Sequence, residues 1–139
     1  MNIKLIEKAN EIIKKVDNVS FGVIDENGYP HICAMSLSYP ENINELYVTT
    51  TIDSNKIRRI KNNSKVSINY FTINDNITLA GEATILTDQE SKSKYWQPWF
   101  KEVYPGGETD PSYCVIKFTT KKATLYIDEE VGEFDLAEK

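Results

Sequence analysis

The residues with the most chemistry in them lie between Leu46 and Phe71, in the stretch LYVTTTIDSNKIRRIKNNSKVSINYF. Both arginines of the chain, Arg58 and Arg59, are here with Lys56, Lys61 and Lys65, and no acid falls between Asp53 and Asp75. The rest of the chain is acidic enough to leave a net charge of −5. The pattern reads as a strand, a capped helix start, a short basic helix and a second strand. A helix N-terminus presents unpaired N–H groups and the positive end of the helix dipole. Ser54 and Lys56 at such an end would make a site for a phosphate group. The competing reading is a solvated helix face, and residue types alone leave both open.

Two other groups of residues could carry chemistry. His31 is the only histidine, and it lies two residues from Cys33 on an expected strand, so both side chains share a face. Zinc wants four ligands, and Cys114 is the only further thiol, so these residues argue against a metal site. A nucleophilic Cys–His pair is equally weak, and Cys33 reads better as a small core residue. The third group is aromatic: Tyr95, Trp96, Trp99, Phe100 and Tyr104, which include both tryptophans. These rings suit a hydrophobic cap, a dimer contact or a wall beside a planar ligand.

The elements that position these groups follow from periodicity. Ile6, Ala9, Ile13 and Val16 mark an amphipathic helix over Ile3–Val16. Val19–Asp25 and His31–Ser38 read as strands joined by a Glu26-Asn27-Gly28 turn. Tyr39–Glu45 is a polar loop, and Leu46–Thr51 a third strand. Asp53 or Ser54 caps the basic helix, which ends at Asn62-Asn63-Ser64. Val66–Phe71 alternates as a half-buried strand, Asn74-Asp75-Asn76 turns, and Ile77–Thr87 is a long strand. Gly81 inside it implies a bulge or a close backbone approach. Asp88 caps a helix over Gln89–Trp96, Gln97–Pro111 is turn-rich, Tyr113–Asp128 is the last β segment, and Glu129–Lys139 is an acidic tail. About six strands without βαβ alternation point to a mainly β fold, an antiparallel barrel with flanking helices.

Residues 1–139 fit a single domain with a core of its own. A pI near 4.9 argues against general nucleic-acid binding. No apolar run reaches membrane-spanning length. The polar N-terminal helix pattern is unlike a signal peptide, and the two cysteines are far apart, so a reduced, cytoplasmic protein is expected.

In order along the chain come a Pro-led strand ending in Met35, Tyr47-Val48-Thr49-Thr50, Ser54-x-Lys56, Ile60-x-Asn62-Asn63-x-x-Val66 and a strand with Gly81. Then follow Trp96-x-Pro98-Trp99-Phe100 and Tyr104-Pro105-Gly106-Gly107-x-x-Asp110-Pro111. This succession resembles the pyridoxamine 5′-phosphate oxidase-like FMN-binding split barrels, in their general stress protein branch. The resemblance implies an antiparallel Greek-key barrel that forms a homodimer, with FMN in a groove at the dimer interface. FAD or a deazaflavin would suit the same resemblance. It implies that Cys33, Ala34, Met35 and Ser36 run along the flavin and that Thr49 and Thr50 line it. It places Ser54, Asn55 and Lys56 at the phosphate, Asn76 near the flavin of the partner subunit, and Trp96 and Trp99 at the active-site mouth. No catalytic residue is singled out. Cys33 stands where the family often has arginine, and Asn55 where some members carry a second phosphate-binding arginine. The tail from Asp128 holds six acids and only Lys139, which argues against a substrate phosphate site and against the true oxidase activity. The function implied is a flavin-dependent oxidoreductase acting on a small-molecule substrate or electron acceptor. The alternative is a non-catalytic flavin- or nucleotide-binding stress protein.

Overall fold

The fold comes from a computed structural model of the chain, which describes residues 3–136. Helix α1 spans Ile3–Ile13 and buries Leu5, Ala9 and Ile13, a stripe at i, i+4, i+8. Its last turn tightens through Lys15 N–H to Ile12 O (3.0 Å) and Val16 N–H to Ile13 O (3.1 Å). Val16 is thus buried, although the helix ends before it.

Strands β1 (Asn18–Ile24) and β2 (Pro30–Ser36) form a hairpin whose turn places Gly28 at φ 85°. Asp25 ties that turn, its Oδ1 accepting from the N–H groups of Asn27 and Tyr29, both at 2.9 Å. Strand β3 (Glu45–Thr51) feeds α2 (Asn55–Asn62). Strands β4 (Lys65–Phe71) and β5 (Asp75–Leu86) follow, so Asp75 and Asn76 belong to a strand rather than to a turn. Helix α3 (Gln89–Lys94) starts where Asp88 accepts from Ser91 N–H at 3.0 Å. Two 3-10 turns, Pro98–Glu102 and Gly107–Thr109, lead to β6 (Tyr113–Ile127) and β7 (Glu130–Asp135).

The described chain therefore has seven strands. The seventh lies in the segment expected to be an acidic tail, and Phe134 and Leu136 from it are buried in the core. The strand order is β2-β1-β4-β5-β6-β3, with β7 on β6 as well. Every pairing is antiparallel. The β5–β6 register shifts between Ala80 and Gly81, as the glycine led one to expect. A Cβ on Gly81 would stand 2.0 Å from Thr119 O, so the close approach needs a residue without one.

Two clusters of buried side chains result. The main one fills the barrel and includes Phe21, Ile68, Leu79 and Phe118, together with Ile57 and Ile60 from α2. The second is aromatic and lies outside β3 and β6: Tyr95, Phe100, Tyr104, Tyr113 and Val115. Alternation along β6 serves both, with Cys114, Ile116 and Phe118 in the barrel and Tyr113 and Val115 in the aromatic cluster. No described helix is long and apolar enough to cross a membrane.

Candidate functional site

The two ends of the strand order, β2 and β3, meet at one bridge, Leu37 to Val48, beside Ser38 N–H to Tyr47 O at 2.8 Å. Continued antiparallel register would set Ser36 against Thr49 and Met35 against Thr50. The described ladders contain no such pairs, because β2 stays with β1 and β3 with β6. The strands part here, and backbone groups on their facing edges have no ladder partners. This gap brings together the expected flavin strand and the expected Thr49 and Thr50. Met35 and Thr50 turn inward and are buried; Ser36 and Thr49 are half-buried. Cys33 packs against the main core, as its small-residue reading requires, while Ala34 is exposed.

At the end of β3 the chain turns into α2. Ser54, not Asp53, is the cap: its Oγ accepts from Ile57 N–H at 3.4 Å. The N–H groups of Asn55 and Lys56 find no acceptor among the described residues. Lys56 is half-buried and makes no ion pair among them. The two arginines are committed. Arg58 Nη2 meets Glu26 Oε2 at 3.1 Å, and its Nη1 donates to Asn55 Oδ1 at 2.8 Å. Arg59 Nη2 lies 3.6 Å from Glu26 Oε1. The Glu26 carboxyl is held below its ordinary pKa by a backbone hydrogen bond and by Arg58. Arg59 Nε is buried without a hydrogen-bond partner, an arrangement that a ligand acceptor beside α2 would relieve. The basic island thus offers Lys56 at the helix start, Lys61 and Lys65 further along, and two arginines braced on the β1–β2 turn. Glu26 was invisible to sequence reasoning, because 32 positions separate it from Arg58.

Asn76 sits on the outer face of the sheet. Its Oδ1 accepts from Asn69 Nδ2 at 2.9 Å, and its Nδ2 donates to Thr78 Oγ1 at 3.1 Å. The tryptophans divide. Trp96 packs edge-on against Phe100 and Tyr113, with ring centroids 5.5 and 5.2 Å apart. Trp99 is half-exposed and shares a cleft with Ser36. The aromatic cap is fastened by Tyr113 Oη donating to Lys92 O at 2.8 Å and Lys92 Nζ donating to Asp110 O at 2.9 Å. Tyr104 Oη lies 3.2 Å from Thr51 Oγ1, so the cap reaches the end of β3. Burial pushes the phenols of Tyr104 and Tyr113 up and the Cys114 thiol to about 11, which leaves that sulfur protonated and inert near neutral pH. His31 Nε2 is 2.7 Å from Asp25 Oδ2 rather than directed at a thiol.

A sheet that closes at one bridge and then splits, with a cationic helix start at the end of one lip, defines a split barrel. Residues 4–135 match the family described as pyridoxamine 5′-phosphate oxidase like. The chain belongs to that family. It is similar to a Clostridium acetobutylicum protein related to general stress protein 26 of Bacillus subtilis, of the pyridoxinephosphate oxidase family. That match has 28% identity, a TM-score of 0.86 and coverage of 99% of both chains. General stress protein 26 of Bacillus anthracis is 27% identical over 98% of this chain and 100% of that one, with a TM-score of 0.82. A NimC/NimA family protein of Clostridium acetobutylicum shares the fold, at 20% identity, a TM-score of 0.74, and 94% and 93% coverage. No curated protein matches the chain.

Proposed function

We propose that this protein binds FMN in the gap between β2 and β3, as a homodimer, and is an oxidoreductase acting on a small molecule. The observation that carries the reading is the split at Leu37 and Val48, which ends at a helix start with free N–H groups and an unpaired Lys56. Membership of the pyridoxamine 5′-phosphate oxidase-like family supports it. The residues present suit the group. Ser54, Lys56 and the N–H groups of Asn55 and Lys56 would hold its phosphate. Cys33, Ala34, Met35, Ser36, Thr49 and Thr50 would flank its rings, and Asn76, Trp96 and Trp99 would complete the surroundings. FAD or a deazaflavin would use the same cradle. A bound flavin supplies electron transfer, and the protein's part is to bind it, orient it and limit water at the site.

Pyridoxine or pyridoxamine 5′-phosphate does not suit this site as a substrate. The described end of the chain is acidic, with Asp135 registered opposite Lys122, and offers no cation pair for a second phosphate. The deciding experiment is an absorbance spectrum of the purified protein, followed by FMN titration. Anaerobic reduction by NADH or NADPH and turnover with small acceptors then test the enzyme. A flavin that binds but passes no electrons would assign a non-catalytic role, and failure to bind any flavin would overturn the reading.

A further inference from the structure

A cleft of about 470 Å3 opens where the end of α1, the start of β1, the end of β2 and the segment after α3 meet. That volume lies in the range of small-molecule sites, roughly 300–1,000 Å3. Its aromatic walls are Tyr39 and Trp99, 54% and 50% exposed. Both are held in place. Trp99 Nε1 donates to Gln97 Oε1 at 2.9 Å, and Gln97 Nε2 in turn donates to Leu37 O at 3.1 Å and Ser38 Oγ at 3.3 Å. The indole edge is pinned and its polar atom is spent. Tyr39 stands at φ 48°, a costly backbone state for a non-glycine residue, and its Oη donates to Trp96 O at 2.9 Å.

Most polar groups around these rings are also spent. Ser36 Oγ donates to Asn18 Oδ1 at 3.1 Å, and Lys14 Nζ meets Glu11 Oε2 at 3.0 Å. Asp17 lines the cleft, and its carboxylate has no hydrogen-bond or ion-pair partner among the described residues. Two fixed aromatic rings and one unanswered carboxylate form the chemistry that recognises an organic cation. An anion would meet Asp17, with the one nearby cation already neutralised by Glu11. A hydrated metal ion would make no use of the rings.

We propose that this cleft binds a small methylated ammonium compound, with its cationic head against Tyr39 and Trp99 and Asp17 as counter-charge. The inference goes beyond flavin binding: the cleft shares Ser36, Leu37 and Trp99 with the proposed cofactor site, but Asp17 and Tyr39 have no part in that site. The test is a titration of the whole protein with choline, and separately with its uncharged carbon isostere 3,3-dimethylbutan-1-ol. The chain has two tryptophans, so the indole N–H resonances are two, and Trp99→Phe assigns them. Choline should shift the Trp99 signal saturably, and the neutral alcohol should not. Exposed cation–π and ion-pair contacts are individually weak, so Asp17→Asn should raise the choline Kd by about three- to tenfold. Asp17→Asn keeps the side-chain shape, and an unchanged spectrum elsewhere would certify its fold. No saturable shift with choline overturns the proposal, and so does an equal shift with the neutral alcohol or an unchanged Kd in Asp17→Asn. FMN titration of the same sample reports separately on the flavin site.

Discussion

Lys56 is the residue on which the cofactor proposal turns. Arg58 and Arg59 are braced on Glu26, so a phosphate at the start of α2 meets one uncommitted side-chain cation. A charge-assisted hydrogen bond to phosphate contributes about 1.5–3 kcal/mol. Lys56→Ala should therefore weaken FMN binding by about ten- to a hundredfold while the fold survives. Lys61→Ala, in the last turn of α2, should change it far less. Fluorescence quenching of FMN decides it, and equal affinities for Lys56→Ala and the parent would reduce the basic island to a solvated face. Asp25 carries a second residue-scale prediction. Hydrogen bonds from Tyr29 N–H, then Asn27 N–H, then His31 hold its carboxyl below the ordinary 3.8. A lowered folded pKa contributes stability that is complete above the ordinary value and is lost as pH falls through the folded one. Asp25→Asn should thus lower the urea midpoint at about pH 7, and the deficit should shrink toward about pH 3. A deficit that stays constant between the two would show that the carboxylate charge plays no part.

At the scale of elements, most of the fold was legible and the exceptions have physical causes. Val66, Ile68 and Tyr70 alternate because one face of β4 is buried, and the Ser54 and Asp88 caps are local chemistry. Strand β7 was hidden because acids hold most of its exposed positions, Glu130, Glu133 and Asp135. Gly132 also lacks a side chain where Phe134 and Leu5 leave no room for one, so little apolar signal remains. Asn74-Asp75-Asn76 has turn composition, but β5 begins at Asp75 because its register with β6 starts at Ile127. The site followed the same division. Thr49, Thr50, Ser54 and Lys56 lie close together in sequence and could be read together. The Glu26 brace and the Asp17–Tyr39–Trp99 cleft join distant segments and could not. Gly81 was readable, and its role supports a test. Ala there would push Cβ into Thr119 O at the register shift. Gly81→Ala should cost about 3 kcal/mol, the upper end for overpacking, since the neighbour is backbone. Thermal denaturation checks this, and a loss within about 0.5 kcal/mol would mean that the β5–β6 ladder yields easily.

At the scale of the whole molecule, one sheet face combines small side chains with exposed apolar ones. Across β2, β1, β4 and β5, one outward row is Ala34, Ser20, Asn69 and Thr78, and the next is Ile32, Gly22, Ser67 and Ala80. These side chains are mostly small, so another sheet could approach closely. Larger apolar groups stand exposed in and around these rows: Ile32 at 71%, Phe71 at 69% and Val131 at 72%. A groove of about 590 Å3 runs over Gly22, Ile32, Ser67 and Ala80, with Lys65, Glu82 and Lys122 at its margins. Charges of both signs beside a small-residue centre suit a two-fold, self-complementary contact. We therefore propose this face as the homodimer interface. Asn76 and Asn69 lie on it too, so pairing would carry them toward the partner's cofactor, as the family resemblance implies. Ser67→Glu would put a charge into the proposed contact from each subunit and leave the barrel core untouched, since Ser67 is exposed. The parent should sediment as a dimer at micromolar concentration and the variant as a folded monomer. The variant should also bind FMN more weakly than the parent, although Lys56 and the β2–β3 gap are intact, because each flavin would lose its contacts from the second subunit. A monomeric parent would remove the interface. A monomeric variant with undiminished FMN affinity would keep the interface but confine the cofactor to one chain.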